Sequence, residues 1–209
     1  MRFSLRLVLA ITLLLILPGA GQSVSPLDSS LEDNVYTNFF FRLRYPYSAS
    51  WIPQSMAAID QIREANQGCF GATTVEASVP ARHSYNLLTL ARNISGQGLA
   101  GRSRAIVVIQ AEELASDSGI RSGQDCAAKL TQHLKRKRFT AVGDAKEVQL
   151  SGASFYRQDF RGTSAAGALL YESAFFTVSK GYALGFILSA PNEQMRGLMI
   201  DTLEKMKFF

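Results

Sequence analysis

The chain has 209 residues, 47% of them hydrophobic and 10% aromatic, enough apolar material for one domain with a packed core and too much for a disordered segment. Its formal charge of +5 comes from 22 basic and 17 acidic residues; without Arg2 and Arg6, which belong to the leader described next, 20 basic residues face 17 acidic ones and the charge falls to +3. So small an excess says little about partners, and the export signal described next speaks against a nucleic-acid partner.

Met1 to Gly21 places Arg2 and Arg6 ahead of an apolar run from Leu7 to Leu17, interrupted only by Thr12 and followed by Pro18, Gly19, Ala20 and Gly21. A basic start, a run shorter than the roughly 20 apolar residues of a membrane span, and small residues after it read as a secretory signal peptide cut near Ala20 or Gly21. An uncleaved signal anchor is the alternative. No cysteine sits at the cleavage region, so a lipoprotein anchor is not indicated. The expectation is an exported protein, periplasmic or secreted, with no transmembrane span in the mature chain.

Three segments follow from this: the signal peptide at 1–21, a polar, flexible lead-in at 22–34, and one globular domain at 35–209. Val35 and Tyr36 read as a short strand, Thr37 and Asn38 as a turn, and Phe39 to Tyr45 as a second strand that Pro46 ends. Trp51, the only tryptophan, is either a core anchor or an exposed ligand platform. Ser55 to Asn66 reads as a helix with Met56, Ile59 and Ile62 on one stripe, closed by Gly68.

Ser84 to Ala91 and Ala105 to Ala111 read as strands joined by a glycine-rich connection in which Gly96, Gly98 and Gly101 spell GxGxxG. A dinucleotide site needs a helix opening at those glycines so that its amides can hold pyrophosphate. Here the strand-like AIVVIQ follows, and the connection reads as a hairpin loop. Ser122 to Arg138 is the next helix, capped by Ser122, with Asp125 in its first turn and Cys126, Leu130 and Leu134 on its buried face.

The last stretch has the plainest pattern. Ala153 to Arg161 (ASFYRQDFR) puts Tyr156 and Phe160 on one side of a strand and Phe155, Arg157 and Asp159 on the other; Ala168 to Val178 repeats the period. Gly181 supplies the positive φ that a short hairpin needs. Tyr182 to Ala190 then has a bulky face, Tyr182, Leu184, Phe186 and Leu188, and a mostly small one, Ala183, Gly185 and Ser189, which invites a helix to approach closely. Asn192 caps a helix whose stripe, Met195, Leu198, Met199, Thr202, Leu203 and Met206, faces the sheet.

No catalytic constellation, metal-ligand spacing or phosphate loop is visible, and no cofactor is expected. His133 lies seven residues from Cys126, about 10 Å along a helix and too far to share one metal ion. It reads as an edge residue, and His83 has no ligand partner in sequence. Cys69 and Cys126 are an even pair in an exported chain and read as a disulfide, with two separate buried thiols as the alternative. Lys135, Arg136, Lys137 and Arg138 form a basic ridge at a helix end, where cations are favoured by the helix dipole. They are either a solvated helix end or a contact for an anionic surface.

Tyr36, Asn38 and Phe41 ahead of Tyr45, Pro46 and Trp51, then Gly152, Phe155, Tyr156 and Asp159, then Gly181, Tyr182 and Ala183, then Leu203 to Phe208, resemble the PsbP-like fold family. Its namesake is an extrinsic subunit of photosystem II, and other members include a Ran-binding nuclear import factor and bacterial envelope proteins. The resemblance spans roughly Val35 to Phe208. It implies an α+β fold, an antiparallel sheet flanked by helices in an α/β/α sandwich, and usually no enzymatic activity. The chain shows no plastid transit segment, so the photosynthetic role does not transfer, and no metal or partner residue of the family is matched position by position.

Two functions remain. One is an exported, non-enzymatic binding or assembly module of the bacterial cell envelope, acting on an unknown envelope protein or an anionic surface. The other is a secreted hydrolase with a dispersed serine nucleophile and His83 or His133 as base, although no GxSxG elbow is present to support it.

Overall fold

The computed structural model describes residues 24–54, 62–64, 69–70, 83–94, 103–116, 118–164 and 167–209. The leader, the connection at 95–102 and most of the span 55–66 lie outside them. In chain order the elements are β1 (Ser29–Glu32), β2 (Val35–Asn38), β3 (Leu43–Pro46), β4 (Ile52–Pro53), β5 (Ile62–Glu64), β6 (His83–Ile94), β7 (Ser103–Glu113), α1 (Gly123–Lys135), β8 (Phe139–Leu150), β9 (Ala153–Thr163), β10 (Leu169–Ser179), β11 (Tyr182–Ala190), α2 (Glu193–Leu203) and β12 (Lys207–Phe208).

The strands form two sheets. The smaller runs β1-β2-β3-β12, and the larger β4-β6-β7-β11-β10-β9-β8, with β5 also pairing β6. All of the pairings are antiparallel. The alternation of β11 decides what covers each face of the large sheet. Its bulky set, Leu184, Phe186 and Leu188, joins Phe155, Phe175, Leu90 and Ile109 in a core closed by Tyr36, Leu43 and Tyr45 of the small sheet and Met199 and Leu203 of α2. On the opposite face Ala183, Ala174, Phe176 and Phe160 meet Cys126, Ala127, Leu130 and Leu134 of α1. Each face of the large sheet thus carries one of the two helices among the described residues.

The small face of β11 does receive a helix, but it is α1 and not the C-terminal one. Close approach is built in at the first residue of α1: a Cβ on Gly123 would fall 2.1 Å from the carbonyl oxygen of Phe176. Gly185 likewise leaves room for the ring of Phe70, 2.7 Å from where its Cβ would stand. α2 has only Met199 and Leu203 buried, and Leu198 faces solvent at 50% exposure. The helix stops at Leu203, and buried Met206 belongs to the turn that leads into β12.

Other expectations need correction. Ile62–Glu64 is a strand, β5, on Tyr85, Ser84 and His83 of β6, so the helix expected over Ser55 to Asn66 does not continue through Ile62. Backbone pairing to an edge outweighs a short apolar stripe there. The lead-in already carries β1, because Asp33 and Asn34, at φ 50° and 59°, make the two-residue turn that folds it onto β2. Thr37 and Asn38 belong to β2, and the turn falls instead at 39–42. Asn38 holds that turn from inside: its Nδ2 donates to Pro26 O at 2.8 Å and its Oδ1 accepts from Phe41 N at 2.8 Å. Trp51 is a core residue, 9% exposed.

Among the strands without a counterpart in the sequence analysis, β8 is the longest. β8 is the border strand of the large sheet, and its register on β9 slips between Val142 and Lys146, so that 143–145 stand opposite Gln158 alone. Buried Gln158 fills the slip by donating Nε2–H to the carbonyl of Gly143 at 3.1 Å.

Candidate functional site

Cys69 and Cys126 are bonded to each other, with their Cα atoms 5.0 Å apart and both residues fully buried. Cys126 lies on the sheet side of α1, held there by a capping box in which Ser122 Oγ accepts from Asp125 N and the Asp125 carboxylate accepts from Ser122 N. These hydrogen bonds from the Arg121 and Ser122 amides hold the Asp125 carboxyl below its usual range. Across the bond, Phe70 stacks on Phe176 at 5.6 Å between centroids, and its N–H donates to Glu112 Oε2 at 2.8 Å. The disulfide therefore fixes both α1 and the 69–70 turn to one face of the sheet.

At the far end of α1 the basic ridge wraps around the helix end instead of lining one side. Lys135 is the last helical residue, Arg136 the C-cap, and Arg138 adopts the left-handed conformation at φ 65°. All four cations, Lys135, Arg136, Lys137 and Arg138, are exposed, and none enters an ion pair among the described residues. His133, expected at an edge, is buried at 8% exposure. Burial, and then the charges of Lys137 and Arg136, hold its imidazole below the usual histidine range. Arg136 Nη2 lies 3.5 Å from His133 Nδ1, and since a guanidinium only donates, Nδ1 is the acceptor side of that contact. Beside the ridge, burial pushes the Glu172 carboxyl up, with a Ser189 hydrogen bond and the charge of Lys137 opposing the shift.

A second charged cluster was not singled out in the sequence. Arg157, Asp159 and Arg161 alternate along β9 and face the small-sheet side, each opposite a residue of β10: Phe175, Ser173 and Tyr171 respectively. Arg157 grips Asp159 with Nε and Nη2, both at 2.8 Å, while Ser173 Oγ donates to Asp159 Oδ1 at 2.7 Å. Arg196 comes from α2, its Nη1 3.7 Å from Asp159 Oδ2. Burial alone would raise the Asp159 carboxyl, but the Arg157 and Ser173 hydrogen bonds and the charges of Arg157 and Arg196 outweigh it and lower the pKa. The sequence signal was the i, i+2, i+4 spacing in RQDFR; nothing in it announced Arg196.

The two histidines do not meet a serine among the described residues. His83 Nδ1 is 3.4 Å from Glu113 Oε2, and both side chains are about half exposed, at 49% and 48%. The GxGxxG connection lies outside the described residues, but β6 and β7 on either side of it pair antiparallel up to Ile94 and Ser103, so a strand and not a helix follows the glycines.

No protein-family model and no curated protein matches the sequence. Among solved structures, cyanobacterial PsbP (CyanoP) from Synechocystis aligns over 92% of this chain and 99% of its own, at 14% identity and a TM-score of 0.50. The fold is PsbP-like. A protein of unknown function, PA94 from Pseudomonas aeruginosa, described as a putative regulator, aligns over 56% of this chain and 80% of its own at 10% identity, TM-score 0.41. LpqN of Mycobacterium tuberculosis, described as involved in cell envelope biogenesis, aligns over 79% and 82% at 12% identity, TM-score 0.39.

The residues that carried the PsbP-like resemblance in the sequence hold the fold together. Tyr36, Phe41, Tyr45, Trp51 and Phe155 are core residues, and Asn38 ties the 39–42 turn. Gly152 and Gly181 occupy hairpin turns at φ 79° and 80°. Asp159 is different: it is the counter-charge of the arginine cluster.

Proposed function

We propose that the protein is an exported, non-enzymatic binding or assembly module of the bacterial cell envelope, and that it presents Lys135, Arg136, Lys137 and Arg138 to an anionic surface or an acidic envelope partner. The observation that carries this reading is a set of four exposed cations without ion pairs among the described residues, at the end of a helix anchored by a disulfide. A leader of secretory type and a buried disulfide suit an oxidising compartment outside the cytosol. Exposed cations act on a charged surface within about 8 Å at physiological salt.

Replacing Lys135, Arg136 and Lys137 together by Gln should leave the melting temperature almost unchanged, as expected of exposed positions. The same variant should lose salt-sensitive binding to phosphatidylglycerol vesicles, by about 1 kcal/mol for each cation removed. Co-sedimentation at low and high salt measures this, and wild-type protein that fails to bind at low salt leaves the ridge as a solvated helix end.

The hydrolase reading gains nothing from histidines that contact Glu113 and Arg136. Folded protein should not react with a serine-directed covalent probe. Labelling that disappears in His83→Ala or His133→Ala would replace the non-enzymatic reading with a catalytic one.

A further inference from the structure

The arginine cluster on β9 and α2 is not neutral. Arg157 and Arg196 flank Asp159, whose Oδ1 and Oδ2 are already occupied by Arg157 and Ser173, and Arg161 stands two residues further along the same face of β9. Arg196 is ion-paired but has no hydrogen bond among the described residues. Its side chain is only 14% exposed, yet the nearest carboxylate oxygens stand beyond hydrogen-bonding distance, at 3.7 Å for Asp159 and 3.9 Å for the largely exposed Glu193. Its guanidinium lies 5.9 Å from the ring centroid of Tyr171, and that of Arg161 lies 5.6 Å from the same centroid. Two forks of N–H donors are thus held at one aromatic ring, with no hydrogen-bond acceptor for either among the described residues.

For Arg196, mostly withdrawn from water, a charge that is paired but not hydrogen-bonded is costly, whereas Arg161 is exposed with its donors open to a ligand. Both remaining guanidiniums are also positioned from rigid elements: Arg161 directly opposite Tyr171 in the β9–β10 register, Arg196 on α2 in the turn before the buried Met199. The planar fork of arginine matches the two-oxygen edge of a carboxylate or phosphate. We propose that Arg161 and Arg196, gathered at the ring of Tyr171, form a receptor for an oxyanion, the carboxylate or phosphate group of a ligand. Asp159 is then the fixed counter-charge that positions Arg157 and leaves the hydrogen-bond donors of the other two arginines for the ligand. This site lies on the small-sheet side of the large sheet, across from the helix that carries the basic ridge, and does not depend on the ridge for its function.

The test is side-chain NMR on the full chain, following the arginine Nε–Hε signals during separate titrations with inorganic phosphate, acetate and phosphatidylglycerol vesicles. Saturating shifts at Arg161 and Arg196 with phosphate or acetate are expected, and the same two signals responding only to vesicles would identify a lipid headgroup as the source. Arg161→Gln, at an exposed position, should weaken binding about tenfold or more. Arg196→Lys keeps the charge and loses the fork, and should weaken binding as well. The Lys135, Arg136 and Lys137 to Gln variant should bind as wild type. Absent or unsaturable shifts at both arginines, affinity unchanged in Arg161→Gln, or vesicle binding that moves only ridge signals would each overturn the assignment.

Discussion

Replacing Cys69 and Cys126 together by alanine is expected to lower the stability of the fold by about 4 kcal/mol, the chain-entropy value for a cross-link closing a loop of this size. The two residues are 57 apart in sequence, and the bond removes that freedom from the unfolded chain. In a chain of this length the loss corresponds to a melting temperature lower by about 8–16 °C. Denaturant unfolding of oxidised wild type, reduced wild type and the double variant measures it. The last two should share a midpoint below that of the first, and equal midpoints for oxidised and reduced protein would show that the bond carries none of the stability. The effect should concentrate on α1, since Cys126 is one of the residues that seat it on Phe176 and Ala183.

Asp159→Asn is expected to cost about 3 kcal/mol, because it removes the negative partner of guanidiniums that are mostly withdrawn from water. The side chains of Arg157, Arg196 and Asp159 are 19%, 14% and 17% exposed, so solvent compensates the lost charge only in part. The pH dependence has a definite sign. The carboxyl is held below its usual range in the fold, so its contribution is fully present above the unfolded value of about 3.9 and is lost as pH falls through the folded value. The gap between wild type and variant, measured by urea unfolding, should therefore be widest at neutral pH and shrink in acid. A gap that stays constant from neutral pH to about pH 2 would mean that Asp159 acts through shape and not through charge.

The elements that could be read in the sequence were those whose local pattern and tertiary role coincide. β9, β10, β11 and the Asn192 cap follow from alternation, a glycine turn and a side chain that accepts from Met195 N at 2.8 Å. β8 hides because it lies at a border: of its twelve residues only Leu150 is buried, and the slip at Val142 resets the alternation halfway along. β1 and β12 are short, and each becomes a strand only through a neighbour, β2 in one case and β3 in the other. Such pairing has no periodic signature. The ridge was legible because its four cations are contiguous. The arginine cluster was legible only in its β9 half, since Arg196 joins it by the docking of α2 over a sheet whose nearest cluster residue in sequence, Ser173, is 23 positions away.

The slip in β8 also bears on how molecules of this protein behave towards one another when crowded. An outermost strand offers a row of amide and carbonyl groups to any passing chain, and a long straight row is a template for endless sheet growth. Here the row is cut in two where 143–145 bulge away from β9, with Gly143 at φ 71° and Gln158 stitched into the gap. Asp144, Lys146 and Glu147, all exposed, stand at and just beyond the cut. An incoming strand finds a few aligned residues, then a kink and alternating charge that it cannot follow. The irregularity that breaks the strand's alternation is the same one that makes this border a poor template for another strand.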